Sequence, residues 1–319
     1  AFSMMACNLS ANITPTPDLA ATANAIASAT LSAQDNQQAT VNAAVAMTAT
    51  AMPQAATPTP AVQVNYYMLT EEELAALIDQ SVNEAMQASQ AAYTSTSAAT
   101  SNGTVTTDEV QTVQVYVSSA EYLLDEIDDM IDVYYDLYGD YASAALTELQ
   151  QIEQDLNTIS ASLASINEIL IQGAEQATAA INELNEAVQT INTKVSEAQT
   201  QAQGWSEQVK SELDTRQQQI ANIQPNEIAA NRAAALESVK KYATTLKDSI
   251  VDGKISSMEL QNIAQLGANA SAGITKSGGP QLADLSSQIS NLTNLAARGN
   301  LPQLSREAPN FERSVQKRR

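Results

Sequence analysis

Apolar positions in this chain step by three and four, the spacing of one face of an α-helix. Thr70-Glu71-Glu72-Glu73 has the form of a capping box, Thr at the cap and Glu three residues on. Leu74, Leu77, Ile78 and Val82 then give a helix over 71–91, followed by a Ser/Thr/Asn/Gly linker at 92–105. Thr106-Thr107-Asp108-Glu109 repeats the cap. Val110, Val113, Val117, Ala120, Leu124, Ile127, Ile131 and Tyr134 carry the next stripe, which Gly139 interrupts. From Ala142 the pattern sharpens. Leu149, Ile152, Leu156, Ile159, Leu163, Ile166 and Leu170 form a heptad seam with Leu at a and Ile at d. A second run holds Ile181, Leu184, Val188, Ile191, Val195, Ala198, Ala202, Trp205 and Val209. The step between the runs, Leu170 to Ile181, is eleven residues, which relaxes a left-handed supercoil. Leu213, Ile220 and Ile223 extend the stripe to Pro225. The spacing predicts one helix over 142–223, about 120 Å long at 1.5 Å per residue.

A helix of that length needs a partner for its stripe, since each buried Leu or Ile contributes about 1.5–3 kcal/mol. Two arrangements satisfy it. The stripe at 107–138 folds back on 142–223 near Gly139, or identical chains associate. Leu at a with Ile at d favours more than two strands, and the Val-rich second run favours two. Beyond Pro225 the pattern gives a helix at 226–250, a short one at 256–266, a Gly/Ser loop at 267–279 and a last helix after Pro280 with Leu282, Leu285, Ile289 and Leu292. The expected fold is mainly α: long coiled-coil helices or a helical hairpin, with an extended or disordered N-terminal tether and a disordered C-terminal tail. By segment this reads as 1–7, an 8–69 tether, 70–105, an acidic body at 106–223, C-terminal helices at 224–296 and a basic tail at 297–319.

Charge sharpens the picture. No Lys or Arg precedes Lys194, and the first 193 residues carry 24 of the 36 acids. The remainder holds 12 acids against 15 bases, and from Arg298 onward six bases face Glu307 and Glu312. The acidic section repels nucleic acid and anionic lipid, so no nucleic-acid partner is expected. Composition also removes much chemistry. Histidine is absent, which takes away the usual general base and the commonest metal ligand. With Cys7 alone there is no intrachain disulfide and no thiolate zinc cluster, and no GxxxxGK phosphate loop occurs. The expectation is a non-enzyme with no catalytic residue.

The N-terminus reads Met4-Met5-Ala6-Cys7, an apolar run ending in a small residue before the cysteine. This resembles the lipobox of bacterial lipoproteins, which implies lipidation of Cys7 and an extracytoplasmic, membrane-anchored chain. Residues 8–69 are nearly uncharged, with TPTP at 14–17 and 57–60. Thr-Pro repeats favour extended backbone, and the Ala-rich stretch 18–51 between them predicts a marginal helix.

Three further features bear on binding. Asp248 to Glu259 resembles a degraded EF-hand calcium loop, with Asp248, Asp252, Ser256 and Glu259 as the oxygen ligands and Gly253 at the turn. Ile250 stands at a ligand position. The same residues read equally as a helix C-cap at Gly253 and a capping box from Ser256 to Glu259. Asp125, Asp129, Asp132, Asp136 and Asp140 share one helical face, either a solvated surface or a site for divalent cations or a basic partner. Tyr116, Tyr122, Tyr134, Tyr135, Tyr138 and Tyr141 cluster beside them, for helix packing or for a glycan. Calcium is thus the one cofactor the sequence raises. The expected role is a spacer, scaffold or assembly component on a bacterial surface, meeting other copies, the cell wall or another surface protein. The rivals are a binding module on the Tyr/Asp segment and a membrane-acting helical protein.

Overall fold

The computed structural model describes residues 65–140, 142–280 and 282–318. Cys7, the tether with its helix at 18–51, and Tyr141 lie outside the described residues. The chain divides into two units, Ala1–Gln63 and Val64–Arg319, and the second is described here. It is built from α-helices, with no strand among the described residues.

A 3-10 turn at Tyr66–Met68 leads into α1 (Glu71–Thr100), α2 (Thr107–Tyr138), α3 (Ser143–Ile171), a single-turn α4 (Ala174–Ala179) and α5 (Ile181–Ala221). Both capping boxes form: Thr70 accepts from the Glu73 amide, Thr106 from the Glu109 amide, and each Glu returns the bond to the cap. Thr94, Thr96 and Thr100 each bond back to the carbonyl four residues earlier, and Ala92, Thr96 and Ala99 are buried. Helix α1 therefore runs on to Thr100, nine residues beyond the expected end. The linker shrinks to a turn at 101–106.

The long helix expected over 142–223 does not exist. It breaks at Gly173, whose φ of 97° and ψ of 173° favour glycine. The chain reverses there, so the eleven-residue step is a corner and not a supercoil adjustment. The two seams then face each other inside one chain. Leu149, Ile152, Ile159, Leu163 and Ile166 of α3 are fully buried, with Leu156 and Leu170 nearly so. Helix α3 packs on α5, where Leu184, Val188, Ile191 and Val195 are likewise buried and Ile181 is half-buried at the core edge.

Helix α1 lies against α2 and α5, and α3 lies against the same two, closing a four-helix ring. The run is up-down-up-down. The start of α1 meets the end of α5 at Glu71 and Arg216, and its end meets the start of α5 where Thr100 donates to Asn185 at 3.0 Å. Helices of about 30 residues make this bundle about 45 Å long.

Residues 222–231 are non-helical. Buried Asn269 holds them: its Oδ1 accepts from the amides of Asn226 and Glu227, and its Nδ2 donates to Asn226 at 2.8 Å. Four shorter helices follow: α6 (Arg232–Asp248), α7 (Ser257–Gly273), α8 (Ala283–Ala297) and α9 (Leu301–Gln316). Here α7 outruns its expected end and closes in a π-turn at Ile274–Gly278, where a Gly/Ser loop was read. These helices form a second ring, α6 on α7, α7 on α8, α8 on α9 and α9 on α6. Tyr242 sits at its centre, ring edge against Phe311 at 5.9 Å and hydroxyl donating to Ile289 O.

The tail read as disordered is α9. Leu301, Leu304, Ala308, Phe311 and Val315 are buried at helical spacing, while Arg306, Arg313 and Lys317 face solvent. Density of charge in the sequence masked a complete amphipathic stripe. One continuous apolar core runs through both rings.

Candidate functional site

The most constrained polar group of the described structure lies where the two bundles meet. The capping box at Thr70 fixes Glu71 as the first residue of α1 and turns its side chain inward. Near the far end of α5, Arg216 points back at it. Glu71 is fully buried and Arg216 is 8% exposed. The guanidinium donates through Nη1 to Glu71 Oε2 at 2.7 Å and through Nη2 to Oε1 at 3.3 Å. Tyr134 of α2 donates its hydroxyl to Oε1 at 3.2 Å. Burial pushes the Glu71 carboxyl above the ordinary glutamate range. The Arg216 guanidinium and the Tyr134 hydroxyl pull the other way, and the charge of Glu212 adds to the rise.

The second bundle closes the knot. Helix α8 ends at Ala297, and Gly299, with φ of 61°, turns the chain into α9. Helix ends leave carbonyls without intrahelical partners. One of these, Ala297 O, accepts from Arg216 Nη1 at 3.2 Å. The Tyr138 hydroxyl lies 3.2 Å from Gly299 O and 3.3 Å from Leu69 O, with one proton between the two. A Cβ added at Gly299 would stand 2.9 Å from Glu71 Oε2 and from Tyr138 Cε1, so only glycine lets the corner approach. Burial, with the charges of Glu71 and Glu73, raises the Tyr138 phenol. Burial raises Tyr134 too, with Glu71 behind it, and both hydroxyls stay protonated donors at physiological pH.

Neither Glu71 nor Arg216 was singled out from sequence. The signal was present. Glu71 precedes Leu74 and Ile78 at steps of three and four, and Arg216 follows Leu213 and precedes Ile220 in the same way. A lone charge on each of two apolar stripes, of opposite sign, marks a buried pair.

The residues that were singled out fall elsewhere. Asp125, Asp129, Asp132 and Asp136 are exposed along α2, and Asp140 is exposed in the turn after it, off the helical face it was read on. Asp136 pairs with Lys254 at 3.0 Å, from the loop between α6 and α7. Asp125 and Asp128 line a groove between α2 and α3 with Glu153 and Asn157. Burial, then the charges of Asp132 and Glu153, raises the Asp128 carboxyl. The tyrosines split: Tyr134 and Tyr138 are core, Tyr135 donates to Glu153 at 2.9 Å, and Tyr122 is exposed. Trp205 is buried, its indole N–H donating to Ala145 O at 2.9 Å.

The calcium-like stretch, Asp248 to Glu259, joins α6 to α7. Glu259 Oε2 accepts from the amide and hydroxyl of Ser256 at 2.9 and 2.7 Å, which completes a capping box for α7. Asp252 Oδ1 accepts from the Lys254 amide, and Gly253 takes a φ of 82°. Among the described residues no group of three or more His, Cys, Asp or Glu is placed to hold a metal ion. No described helix is long and apolar enough to cross a membrane. Comparison with protein-family models, with curated proteins and with solved structures yields no match.

Proposed function

We propose that this chain is a non-enzymatic bacterial surface lipoprotein, held outside the cytoplasm by lipid on Cys7, whose stiff helical body acts as a spacer, scaffold or assembly component. The observation that carries this reading is the buried Glu71–Arg216 knot. A spacer needs a body that does not flex, and Arg216, paired with Glu71 inside the first bundle, also donates to Ala297 O of the second, so parting the bundles takes an acceptor from a buried guanidinium. Coiled-coil-like packing of the α3 seam on α5 adds stiffness along the length. The nearly uncharged Thr-Pro stretch ahead of Tyr66 supplies reach. The surplus of acids keeps neighbouring bodies apart.

The test is the mass of the Cys7 peptide from native membranes. A diacylglyceryl adduct, with the protein in the membrane fraction and released by Cys7→Ser, is the expected result. Unmodified Cys7 in a soluble fraction overturns the reading.

A second reading is favoured by the groove between α2 and α3, which Asp125, Asp128 and Glu153 line. In that case the bundle is a binding module for a basic protein or a glycan. Calorimetric titration of a lysine-rich peptide and of a soluble glycan, comparing wild type with Asp125→Asn/Asp128→Asn, decides it. Heat lost in the variant supports the module, and identical isotherms dispose of it.

A further inference from the structure

The lead-in to α1 and the C-terminal bundle are held by the same few atoms. The lead-in, Tyr66 to Thr70, is fixed to α2 at two points: Tyr66 donates to Glu126 at 3.0 Å, and Leu69 O faces the Tyr138 hydroxyl. The C-terminal bundle is fixed at the same place by Ala297 O on Arg216 and Gly299 O on Tyr138. One phenolic proton serves Leu69 O and Gly299 O. One guanidinium serves Glu71, the first residue after the lead-in, and Ala297 O. A Cβ at Gly299 would collide with the Glu71 carboxylate and the Tyr138 ring. The bundles are also joined by the non-helical stretch 222–231, whose polar holds run to Asn269, Gln265 and Ser277 of the C-terminal bundle itself, and by the Lys254–Asp136 pair.

From this sharing we infer that Tyr138, Glu71 and Arg216 form a clasp through which the lead-in segment 66–70 and the α8–α9 corner are released together. Drawing residues 66–70 away from α2 removes the second acceptor of Tyr138 and drags Glu71 out of its pocket. Arg216 then loses the carboxylate that orients it toward Ala297 O, and the corner at Gly299 loses the Glu71 side chain beside it. The C-terminal bundle keeps its 222–231 connection, the Lys254–Asp136 pair and the apolar contacts between the rings, without the polar clasp. Tension arriving from the N-terminal side thus reaches the joint between the bundles before it reaches either helical core. This holds whether or not Cys7 carries lipid, so it stands or falls separately from the proposed anchor.

Hydrogen exchange followed by mass spectrometry tests it on the whole chain. Tyr138→Phe keeps the ring and removes the shared proton. Exchange in the peptides covering 66–71 and 297–301 rises together, by about three- to tenfold, the range one ordinary hydrogen bond supplies. Peptides from the middles of α3, α5 and α7 keep their rates, and far-ultraviolet helicity is unchanged. Gly299→Ala disturbs the clasp from the other side, and it also loosens 66–71, more than 200 residues away in sequence. A rise confined to one of the two segments, or spread evenly over both bundles, overturns the clasp. Should Tyr138→Phe fail to fold, the Gly299→Ala exchange pattern decides alone.

Discussion

Glu71 and Arg216 form an ion pair in which both side chains are buried. Removing one partner leaves the other charge buried, which costs about 3–5 kcal/mol, whereas replacing both with apolar residues of similar volume is near neutral. Urea unfolding of Glu71→Leu, Arg216→Met and the double variant checks this: each single change is severe and the pair recovers most of the loss. The pH dependence follows from the raised Glu71 carboxyl. A raised folded value gives a contribution fully present below the unfolded value of 4.5 and lost as pH rises through the folded one. Wild type therefore gains stability relative to Glu71→Gln as pH falls from neutral toward 4.5. Tyr66 offers a second titration. Burial, then the hydrogen bond and charge of Glu126, pushes its phenol from 10.0 up to about 12. Its contribution is present below 10.0 and lost as pH rises through about 12. Absorbance titration at alkaline pH shows Tyr66 ionising late, and Glu126→Gln brings it down.

Among the elements, what was legible in the sequence was local. Capping boxes at Thr70, Thr106 and Ser256 formed as their spacing said, because a cap is decided within four residues. Apolar stripes landed in the core because periodicity alone chooses the buried face. Changes of chain direction were not legible. Eleven residues from Leu170 to Ile181 fit an unbroken helix as well as a corner, and only the conformation at Gly173 separates them. Gly173→Ala is predicted to cost about 1–3 kcal/mol, the usual strain at a backbone region reserved for glycine, measurable as a lowered unfolding midpoint. Helix α9 escaped because its apolar residues are diluted by four charges, Arg306, Glu307, Glu312 and Arg313. Its Phe311 closes the second ring on Tyr242, so Phe311→Ala should cost about 3–5 kcal/mol. The candidate site was the least legible part, since Glu71 and Arg216 stand 145 residues apart and each looks ordinary in its own neighbourhood.

For the whole described body, the chain covers its own seams. The sequence left a fold-back of 107–138 on 142–223 and association of identical chains open; the pairing of α3 with α5, the two halves of 142–223, was neither of these. No apolar stripe of the length read over 142–223 is left for a sister chain. Melting should then be independent of concentration across a hundredfold range, with sedimentation of a single chain. A midpoint that climbs with concentration would mean association adds stability after all. The two rings sharing one core also predict a single cooperative unfolding transition in wild type. Arg216→Met, by loosening the joint, should split it into two.

The protein's only tryptophan is lodged beside this machinery. Trp205 is shut away from water and meets the Tyr134 ring edge-on at 5.2 Å, and Tyr134 is the residue that reaches Glu71. Nature has thus installed a single optical gauge one aromatic ring from the joint. Intrinsic emission, with no dye attached, will shift to the red when water reaches that indole, so the opening of the joint can be timed in a stopped-flow cell.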